Sequence, residues 1–453
     1  MTRKFFGTDG IRGVANQELT ADLAMAVGRA AVAVLPGENP RILIGRDTRV
    51  SGPMLEAAMI AGISSAGGSP VRAGIIPTPA VASLVLAEGA DAGAVISASH
   101  NPFRDNGIKF FAASGFKLSD AQELEMEKFL TGGHSLPPAA GSPGAVGRLE
   151  QPAEEYVDGL LAKFDLDLAG MRILVDCAQG ATYRTTPMAL GRLGADVSVM
   201  CDAPDGYNIN AGCGSTHIDT LAAAVRADGF DIGLAHDGDG DRVIAVDAAG
   251  EVVDGDFVLA ICGKHMKDAG RLPCDTIVTT VMTNLGFHLA MRELGINVVT
   301  TDVGDRYVLE EMLAGSYGFG GEQSGHIINL ETGTTGDGLA TALLLLGVMA
   351  ETGRPLGELT GVMRRLPQKL VNVPVGDRGA LGEAAEVWSG VDEQQARLGG
   401  EGRVLVRPSG TEPVVRVMVE AKTVELCDEV CENIARLVAA RLGPDGHTSG
   451  PRV

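Results

Sequence analysis

The chain of 453 residues has few aromatic side chains and no apolar run long enough to cross a membrane. Phe, Trp and Tyr make up 4% of it, whereas glycine is abundant at 62 residues. The longest apolar stretch, residues 339–350, is far shorter than the ~20 residues that a membrane-spanning helix needs, so it predicts a buried helix. The first seven residues hold too short an apolar run for a secretory signal.

An excess of positive charge and closely paired cysteines are also lacking. The formal net charge is −21 at pH 7, so we expect no binding to nucleic acid or to an anionic membrane, because both need a basic surface. The seven cysteines include no CxxC pair, which favours reduced structural thiols and a cytoplasmic protein over a zinc protein. An acidic protein of this kind must concentrate cations locally in order to bind an anionic ligand.

Helix-like and strand-like segments alternate in three successive rounds, which is typical of α/β domains. After about residue 366 the pattern changes to two strand-like runs followed by one amphipathic helix. We therefore predict three similar α/β domains and a smaller C-terminal α+β domain. The predicted bounds are 1–150, 151–254, 255–365 and 366–453.

Ser99 follows a strand-like run in the segment Ile96-Ser-Ala-Ser-His-Asn-Pro102. A serine hydroxyl is a poor nucleophile unless a neighbouring group activates it, and Ser, Asn and Pro also favour an ordinary turn. Lys109 lies close behind, after Asn106-Gly107, which we interpret as a tight turn. A lysine near a phosphoserine balances its charge of about −1.5 to −2, so Ser99 is a candidate carrier of phosphate, with His100 beside it.

A second motif, Asp237-Gly-Asp-Gly-Asp-Arg242, has three carboxylates at alternate positions. In an extended chain Asp237, Asp239 and Asp241 point the same way, and all-oxygen ligands of this kind favour Mg²⁺. A calcium EF-hand loop is excluded, because Arg242 replaces its glycine and Ala248 its glutamate. A solvated acidic turn stays open as the alternative. Arg242 is a candidate for orienting the aspartates or for binding a phosphoryl group.

Two glycine-containing segments offer candidate contacts for a sugar and a nearby phosphate. Gly320-Gly-Glu-Gln-Ser-Gly-His326 presents Glu322 and Ser324, whose oxygens can match paired sugar hydroxyls, although an ordinary surface turn fits this segment as well. Phe6-Gly-Thr-Asp-Gly-Ile-Arg-Gly13 holds Arg12 in a similar loop, where a surface contact is the simpler interpretation.

A third candidate loop, Arg407-Pro-Ser-Gly-Thr-Glu-Pro413, lies between two strand-like runs. Backbone N–H groups around Gly410 can form an anion nest, Ser409 and Thr411 add hydroxyl donors, and Arg407 can bind phosphate with two parallel hydrogen bonds. A plain hairpin loop is the alternative. Arg416 on the following strand is either a second cation or a solvated edge residue.

Taken together and in this order, the segments resemble the α-D-phosphohexomutase superfamily over essentially the full length of the chain. The opening Phe6–Arg12 segment, the Gly-Glu-Gln-Ser-Gly-His loop and Asn208-Ile-Asn-Ala-Gly-Cys-Gly-Ser-Thr216 resemble the branch that acts on glucosamine phosphates. Phosphoglucomutase/phosphomannomutase relatives usually have Met where this chain has Gln323.

The resemblance implies four domains with mixed sheets around a central cleft, and it assigns roles to the candidate residues. It implies that Ser99 is phosphorylated and that Asp237, Asp239 and Asp241 hold Mg²⁺ together with a phosphoserine oxygen. The positions matched around the transferring phosphate are Arg12, His100, Lys109 and Arg242. The positions matched at the sugar are Glu322, Ser324 and His326. The positions matched at the phosphate that does not react are Arg407, Ser409, Gly410 and Thr411.

The activity implied by the resemblance is the interconversion of glucosamine 6-phosphate and glucosamine 1-phosphate, through glucosamine 1,6-bisphosphate, on the route to UDP-N-acetylglucosamine. Lys109 is the first candidate for general acid and base, and His100 is the second. The alternatives are a phosphoglucomutase or phosphomannomutase and, with less support, a Mg²⁺-dependent sugar phosphatase. The number of subunits stays open, with a homodimer among the options.

Overall fold

A computed structural model describes residues 4–7, 9–135, 141–409 and 413–444. The chain divides into two compact units. The larger comprises Met1–Met282 with Gly295–Val362, and the smaller comprises Thr283–Leu294 with Met363–Val453.

The first sheet of the larger unit has seven strands in the order β1-β2-β6-β5-β3-β4-β7. Its strands are β1 (Phe6–Gly7), β2 (Gly10–Val14), β3 (Arg41–Arg46), β4 (Ser69–Ile75), β5 (Ala92–Ile96), β6 (Asp105–Ala112) and β7 (Gly147–Arg148). Its helices are α1 (Ala21–Val34), α2 (Gly52–Ser65), α3 (Thr78–Ala87) and α4 (Asp120–Leu130). Strands β5, β3, β4 and β7 run parallel, whereas β6 is antiparallel to β5 and to β2. The carboxyl ends of the four parallel strands therefore share one edge of the sheet.

The second sheet has the order β12-β11-β10-β8-β9. Its strands are β8 (Arg172–Asp176), β9 (Asp196–Met200), β10 (Ile232–His236), β11 (Val243–Asp247) and β12 (Val252–Val253), and the accompanying helices are α5 (Pro152–Leu161), α6 (Thr185–Arg192) and α7 (Asp219–Asp228). Strands β8, β9 and β10 are parallel, and β11 returns antiparallel to β10. Residues 237–242 form the turn between β10 and β11, which places the acidic motif at the carboxyl end of β10.

A third sheet, ordered β14-β13-β15-β16, completes the larger unit. Its strands are β13 (Thr276–Thr280), β14 (Asn297–Thr301), β15 (Phe319–Gly321) and β16 (Ile327–Asn329). The helices of this region are α8 (Gly255–Asp268), α10 (Asp305–Gly315), α11 (Gly338–Thr352) and α12 (Leu356–Leu359), with α9 (Leu285–Glu293) assigned to the smaller unit. The turn between β15 and β16 carries residues 322–326.

The smaller unit contains an antiparallel sheet in the order β17-β19-β18. Its further elements are β17 (Gln368–Pro374), β18 (Arg403–Pro408), β19 (Val414–Glu420), α13 (Ala385–Leu398) and α14 (Val424–Leu442). Val415, Val417 and Val419 are fully buried on one face of β19 and pack in the core of this unit together with Cys427 and Cys431 of α14. The period of two on the strand explains why alternate valines enter the core.

The predicted fold class is confirmed, since three α/β sheets precede a small C-terminal α+β unit. The helix expected at 339–350 exists as α11, and most of its residues are buried. Within the described part of the chain no single helix is long and apolar enough to cross a membrane. Helix α11 and residues 356–362 reach that length and apolarity only when they are counted together, across a bend of 91°. The exact domain bounds stay predictions.

One local prediction is wrong. Asn106 and Gly107 do not form a turn but lie inside strand β6, paired with Gly13 and Arg12 of β2. The tertiary context overrides the turn preference of the Asn-Gly dipeptide, because Asn106 is fully buried and its amide donates a hydrogen bond to Ser51 Oγ at 2.9 Å. Lys109 therefore sits on a strand beside the serine loop rather than after a bend.

Helices α1 and α2 cross at two glycines. A Cβ added at Gly62 would lie 2.1 Å from the carbonyl oxygen of Met25, and one added at Gly28 would lie 2.6 Å from that of Met59. Each helix thus approaches the backbone of the other at a position where only hydrogen fits, and this contact supports the first sheet from one side.

We expect Gly62→Ala to lower the free energy of unfolding by about 2 kcal/mol, because a rigid carbonyl must move to admit the methyl group. Gly347→Ala in α11 is the matched control, since no heavy atom lies within 4 Å of its added Cβ. There the better helix propensity of alanine should raise stability by about 0.5–1 kcal/mol. Denaturant unfolding of both variants measures the difference, and equal effects would contradict the packing argument.

Candidate active site

Ser99 lies just beyond the carboxyl end of β5, in a buried loop. Its backbone is left-handed, with φ of 50°, and its side chain is 2% exposed. The hydroxyl donates a hydrogen bond to Asp237 Oδ2 at 2.5 Å, and Oγ lies 3.4 Å from His100 Nδ1. A left-handed serine is strained by roughly 1 kcal/mol or more and persists only where its surroundings hold it.

A fully buried ion pair, Arg49 with Asp47, stabilises the loop that contains Ser99. Arg49 Nε donates to Asp47 Oδ2 at 2.7 Å, and neither side chain is exposed. Asp47 also accepts a hydrogen bond from Ser97 Oγ at 2.6 Å, and Ser97 Oγ accepts from the backbone N–H of Ser99 at 2.9 Å. The guanidinium donates to four carbonyl oxygens of the serine loop and the strand that follows it: those of Ser99, Asn101, Pro102 and Asp105.

A further donor comes from the second sheet's domain. Asn210 Nδ2 donates to the carbonyl oxygens of Ser99 at 2.9 Å and of Asn101 at 3.0 Å. Neither Arg49 nor Asn210 was predicted as a site residue. The Asn208–Thr216 segment was noted only for its resemblance, and no feature of Arg49 in the sequence distinguishes it from a surface arginine.

The three aspartates converge as predicted. One carboxylate oxygen from each of Asp237, Asp239 and Asp241 lies within 4.8 Å of the others, and all three residues are buried. Asp239 Oδ1 and Asp241 Oδ1 are buried without a hydrogen-bond partner in the described part of the chain. Buried carboxylate oxygens that lack a partner are costly unless a cation binds them, so this donor set fits a hard divalent ion.

Lys109 lies behind these carboxylates. Its Nζ is 2.9 Å from Asp239 Oδ2 and 3.4 Å from Asp241 Oδ2. Burial opposes its charge, but the attraction of Asp239, Asp9 and Asp241 dominates and holds its pKa well above the usual lysine value. Burial and then the charges of Asp241 and Asp239 raise the pKa of Asp237 well above its ordinary value, which marks the repulsion within the cluster.

A cleft of about 440 Å³ opens beside Ser99. Seven of the residues proposed from the sequence line it, namely Arg12, Ser99, His100, Asp241, Arg242, Glu322 and His326. Four other proposed residues of the larger unit do not line it: Asp237, Asp239, Lys109 and Ser324. Lys109 is buried behind the aspartates, and Ser324 has a buried hydroxyl with no hydrogen-bond partner among the described residues.

Loops of the second and third sheets meet at this cleft. An antiparallel bridge joins Arg242 to His326, and the backbone N–H of Gly304 donates to Glu322 Oε1 at 3.1 Å. His326 is buried, with Nε2 3.6 Å from Asp305 Oδ2. The carboxylate of Glu322 is thus fixed at the cleft by the loop that begins helix α10.

A chain of ion pairs that sequence analysis missed crosses the same cleft. Lys117 Nζ lies 2.6 Å from Asp9 Oδ1 and also contacts the carboxylate of Asp305, while Arg12 pairs with Asp9 at 2.5 Å. Burial lowers the pKa of Lys117, but Asp305 and Asp9 more than compensate and raise it to about 12. Lys117 therefore stays charged and fixes the two acidic residues on either side of the cleft.

In the smaller unit, Arg407 and Arg416 stand directly opposite each other on β18 and β19. This pairing places two cationic residues side by side on the hairpin. Ser409 is buried, and its N–H donates to Val414 O at 2.9 Å, closing the hairpin. Gly410 and Thr411 lie outside the described residues, so their predicted role stays a prediction.

Matches to known proteins cover nearly the whole chain. Family models for the phosphoglucomutase/phosphomannomutase domains I, II, III and C-terminal match residues 3–135, 154–250, 254–366 and 370–437. A phosphoglucosamine mutase from Desulforudis audaxviator is 55% identical over 437 residues, covering 96% of this chain and 97% of the relative. One from Heliobacterium modesticaldum is 52% identical and covers 95% and 98%.

The chain belongs to the phosphoglucosamine mutase family. Members of this family are isomerases, and the chain is accordingly an enzyme.

Solved structures agree on the fold. A phosphoglucomutase/phosphomannomutase family protein from Burkholderia thailandensis superimposes with a TM-score of 0.81 at 24% identity, covering 97% of this chain and 98% of that one. The N-acetylphosphoglucosamine mutase of Aspergillus fumigatus, solved in complex with GlcNAc-6P and magnesium, has a TM-score of 0.68 at 18% identity and covers 96% of each chain.

We expect Arg49→Met to lower the free energy of unfolding by about 3–5 kcal/mol, because it leaves the buried Asp47 without its cation and removes one hydrogen bond from each of four carbonyl groups. Arg104→Met serves as the control within the same segment. The Arg104 side chain is 73% exposed, and its ion pair with Asp105 is long, at 4.0 Å. The control should change stability by no more than about 0.5 kcal/mol. Denaturant unfolding measures both, and a stable Arg49 variant would contradict the proposed support.

Proposed function

We propose that this enzyme interconverts glucosamine 6-phosphate and glucosamine 1-phosphate and that Ser99 carries the phosphoryl group. The observation that carries this proposal is the contact of Ser99 Oγ with a buried triad of aspartates, at the wall of a cleft lined by Arg12, His100 and Arg242. The relatives that are more than half identical are named for the same reaction.

In the proposed reaction, phosphoserine 99 gives its phosphoryl group to O1 of glucosamine 6-phosphate, and the O1–H proton leaves to a base. The product, glucosamine 1,6-bisphosphate, turns over in the cleft. Its O6 phosphoryl group then returns to Ser99 Oγ, and O6 takes a proton, which leaves glucosamine 1-phosphate. Phosphoryl transfer of this kind depends mainly on positioning and charge stabilisation. Arg12 and Arg242 supply positive charge on the cleft side of Ser99.

Asp237, Asp239 and Asp241 would hold Mg²⁺ together with an oxygen of the phosphoserine. When bound, the ion would offset negative charge on the serine oxygen as the phosphoryl group departs. The two buried carboxylate oxygens without partners support this assignment.

Lys109 and His100 are the two candidates for the proton transfers. A base must be unprotonated to accept a proton. Burial, and then the charges of Arg242 and Arg12, lower the pKa of His100 below the usual histidine value, and its ring lines the cleft. These contacts favour His100 as the base that removes the sugar proton, and they favour Lys109 as the cation that balances the aspartates.

The sugar is proposed to bind through Glu322, Ser324 and His326, and the phosphate that does not react through Arg407, Ser409, Gly410, Thr411 and Arg416. Support for the first group is the lining of the cleft by Glu322 and His326. Support for the second is the pairing of two arginines on one hairpin. The proposed setting is the cytoplasm, and a homodimer remains a hypothesis.

Comparing kcat/KM for the 6-phosphates of glucosamine, glucose and mannose tests the reaction. We expect the glucosamine substrate to give the highest value and Ser99→Ala to reduce turnover by at least about 10³-fold, because no other described hydroxyl contacts the aspartate cluster from the cleft. Ser114→Ala, in an exposed turn, should leave turnover unchanged. Radiolabel from the 1,6-bisphosphate should enter the parent enzyme and not the Ser99 variant.

Each rival function has its own signature in the same experiment. A higher kcat/KM for glucose or mannose 6-phosphate would favour a phosphoglucomutase or phosphomannomutase. Steady release of inorganic phosphate without formation of the 1-phosphate would favour a sugar phosphatase. An active Ser99→Ala enzyme would reject the phosphoserine itself.

Mg²⁺ should stabilise the folded protein, since it relieves the repulsion among the aspartates. At an ion concentration of 100 times Kd, linkage predicts a gain of about 2.7 kcal/mol in unfolding free energy. Asp241→Asn should lose most of that gain, whereas Asp196→Asn, whose side chain is 73% exposed, should keep it. Chelation of the ion should abolish turnover. An equal Mg²⁺ response in both variants would place the ion elsewhere.

A further inference from the structure

A second cavity, of about 370 Å³, lies at the edge of the first sheet and shares no lining residue with the cleft beside Ser99. Four arginines line it, Arg46, Arg72, Arg148 and Arg184, and Tyr183 contributes an aromatic ring. Such a concentration of guanidinium groups is unexpected in a chain with a net charge of −21. The size falls within the usual range of small-molecule sites.

The position of this cavity follows from the sheet. Arg46 ends β3, and Arg148 ends β7. The last residues of β4, including Ile75, lie between them because β3, β4 and β7 are parallel neighbours. The carboxyl edge of parallel strands is where α/β domains commonly bind ligands. The reaction assigned to the enzyme uses the end of β5 on the same edge and leaves this part unused.

The guanidinium groups are held in place but not fully neutralised. Glu56, whose side chain is 1% exposed, accepts from Arg46 Nε and Arg72 Nε, both at 3.1 Å. Glu154 accepts from Arg184 at 3.3 Å. Arg148 is exposed, and in the described part of the chain no carboxylate lies within ion-pair distance of it.

The carboxylates at this cavity are Glu56, Glu150 and Glu154. The four arginines outnumber them, so the local charge favours an anion. Buried Glu56 acts as an anchor that orients two guanidinium groups toward the cavity. Fixed guanidinium forks of this kind match the paired oxygens of phosphate groups.

We propose that this cavity binds a nucleoside diphosphate. Two linked phosphates offer the anionic oxygens that several guanidinium groups can bind, and a cavity of about 370 Å³ is within the range of sites for small molecules such as nucleotides. The ring of Tyr183 offers the surface on which an aromatic base can stack. The bound ligand would also contact the chain segment that supports Ser99, because Arg46 Nη1 donates to the carbonyl oxygen of Asp47 at 3.2 Å.

Calorimetric titration of the full chain with ADP in Mg²⁺-free buffer tests this site, and it does not depend on turnover. Saturating glucosamine 6-phosphate fills the catalytic cleft, so ADP should still bind with one molecule per chain. The double variant Arg148→Ala, Arg184→Ala should raise Kd for ADP by about tenfold or more. Tyr183→Ala should weaken ADP by about threefold or more and leave inorganic pyrophosphate within twofold.

Arg192→Ala is the matched control. Like Arg184, Arg192 is an exposed arginine near helix α6 that pairs with a carboxylate on helix α5, in its case Asp158, but it lies outside the cavity. Its Kd for ADP should equal that of the parent.

Three results would overturn the proposal: no ADP binding, complete displacement of ADP by glucosamine 6-phosphate, or an unchanged Kd in the double arginine variant. Equal losses for ADP and pyrophosphate in Tyr183→Ala would overturn the assignment of a nucleoside.

Discussion

Burial of three aspartates in one turn is the constraint on which the rest of the site depends. One carboxylate oxygen from each lies within 4.8 Å of the others in a buried turn, where like charges repel more strongly than at a surface. Three groups from the domain of the first sheet stabilise these carboxylates: Lys109 of β6, the hydroxyl of Thr78 at the start of α3, and the hydroxyl of Ser99. The acidic turn is therefore stabilised by contacts that form only when the domains of the larger unit are assembled.

The position of Ser99 beside these aspartates is fixed by several hydrogen bonds to its loop. A serine that carries a phosphoryl group between a metal and a sugar phosphate, as proposed here for Ser99, has to be placed within a fraction of an ångström. Three groups support its loop: the guanidinium of Arg49, the amide of Asn210 and the hydroxyl of Ser97. Together they maintain a left-handed backbone that a free loop would not keep.

Much of the architecture and the chemical motifs could be predicted from the sequence. Helix α11 coincides with the helix predicted at residues 339–350, because a continuous apolar run too short to cross a membrane predicts a buried helix. Strand β6 was missed because Asn106-Gly107 favours a turn locally. Arg49, Asn210 and Lys117 were missed for a different reason: each acts on residues at least 50 positions away or on another sheet. Local patterns do not encode such distances.

The contribution of Asn210 has a consequence for biogenesis. Two of the carbonyl groups that shape the serine loop receive hydrogen bonds from a residue more than one hundred positions downstream. An amino-terminal domain emerging from the ribosome would therefore have its first sheet but not the full set of hydrogen bonds around Ser99. The loop would reach its final geometry only after the neighbouring domain has been synthesised, so on the proposed function the serine would become competent to carry phosphate late in biogenesis.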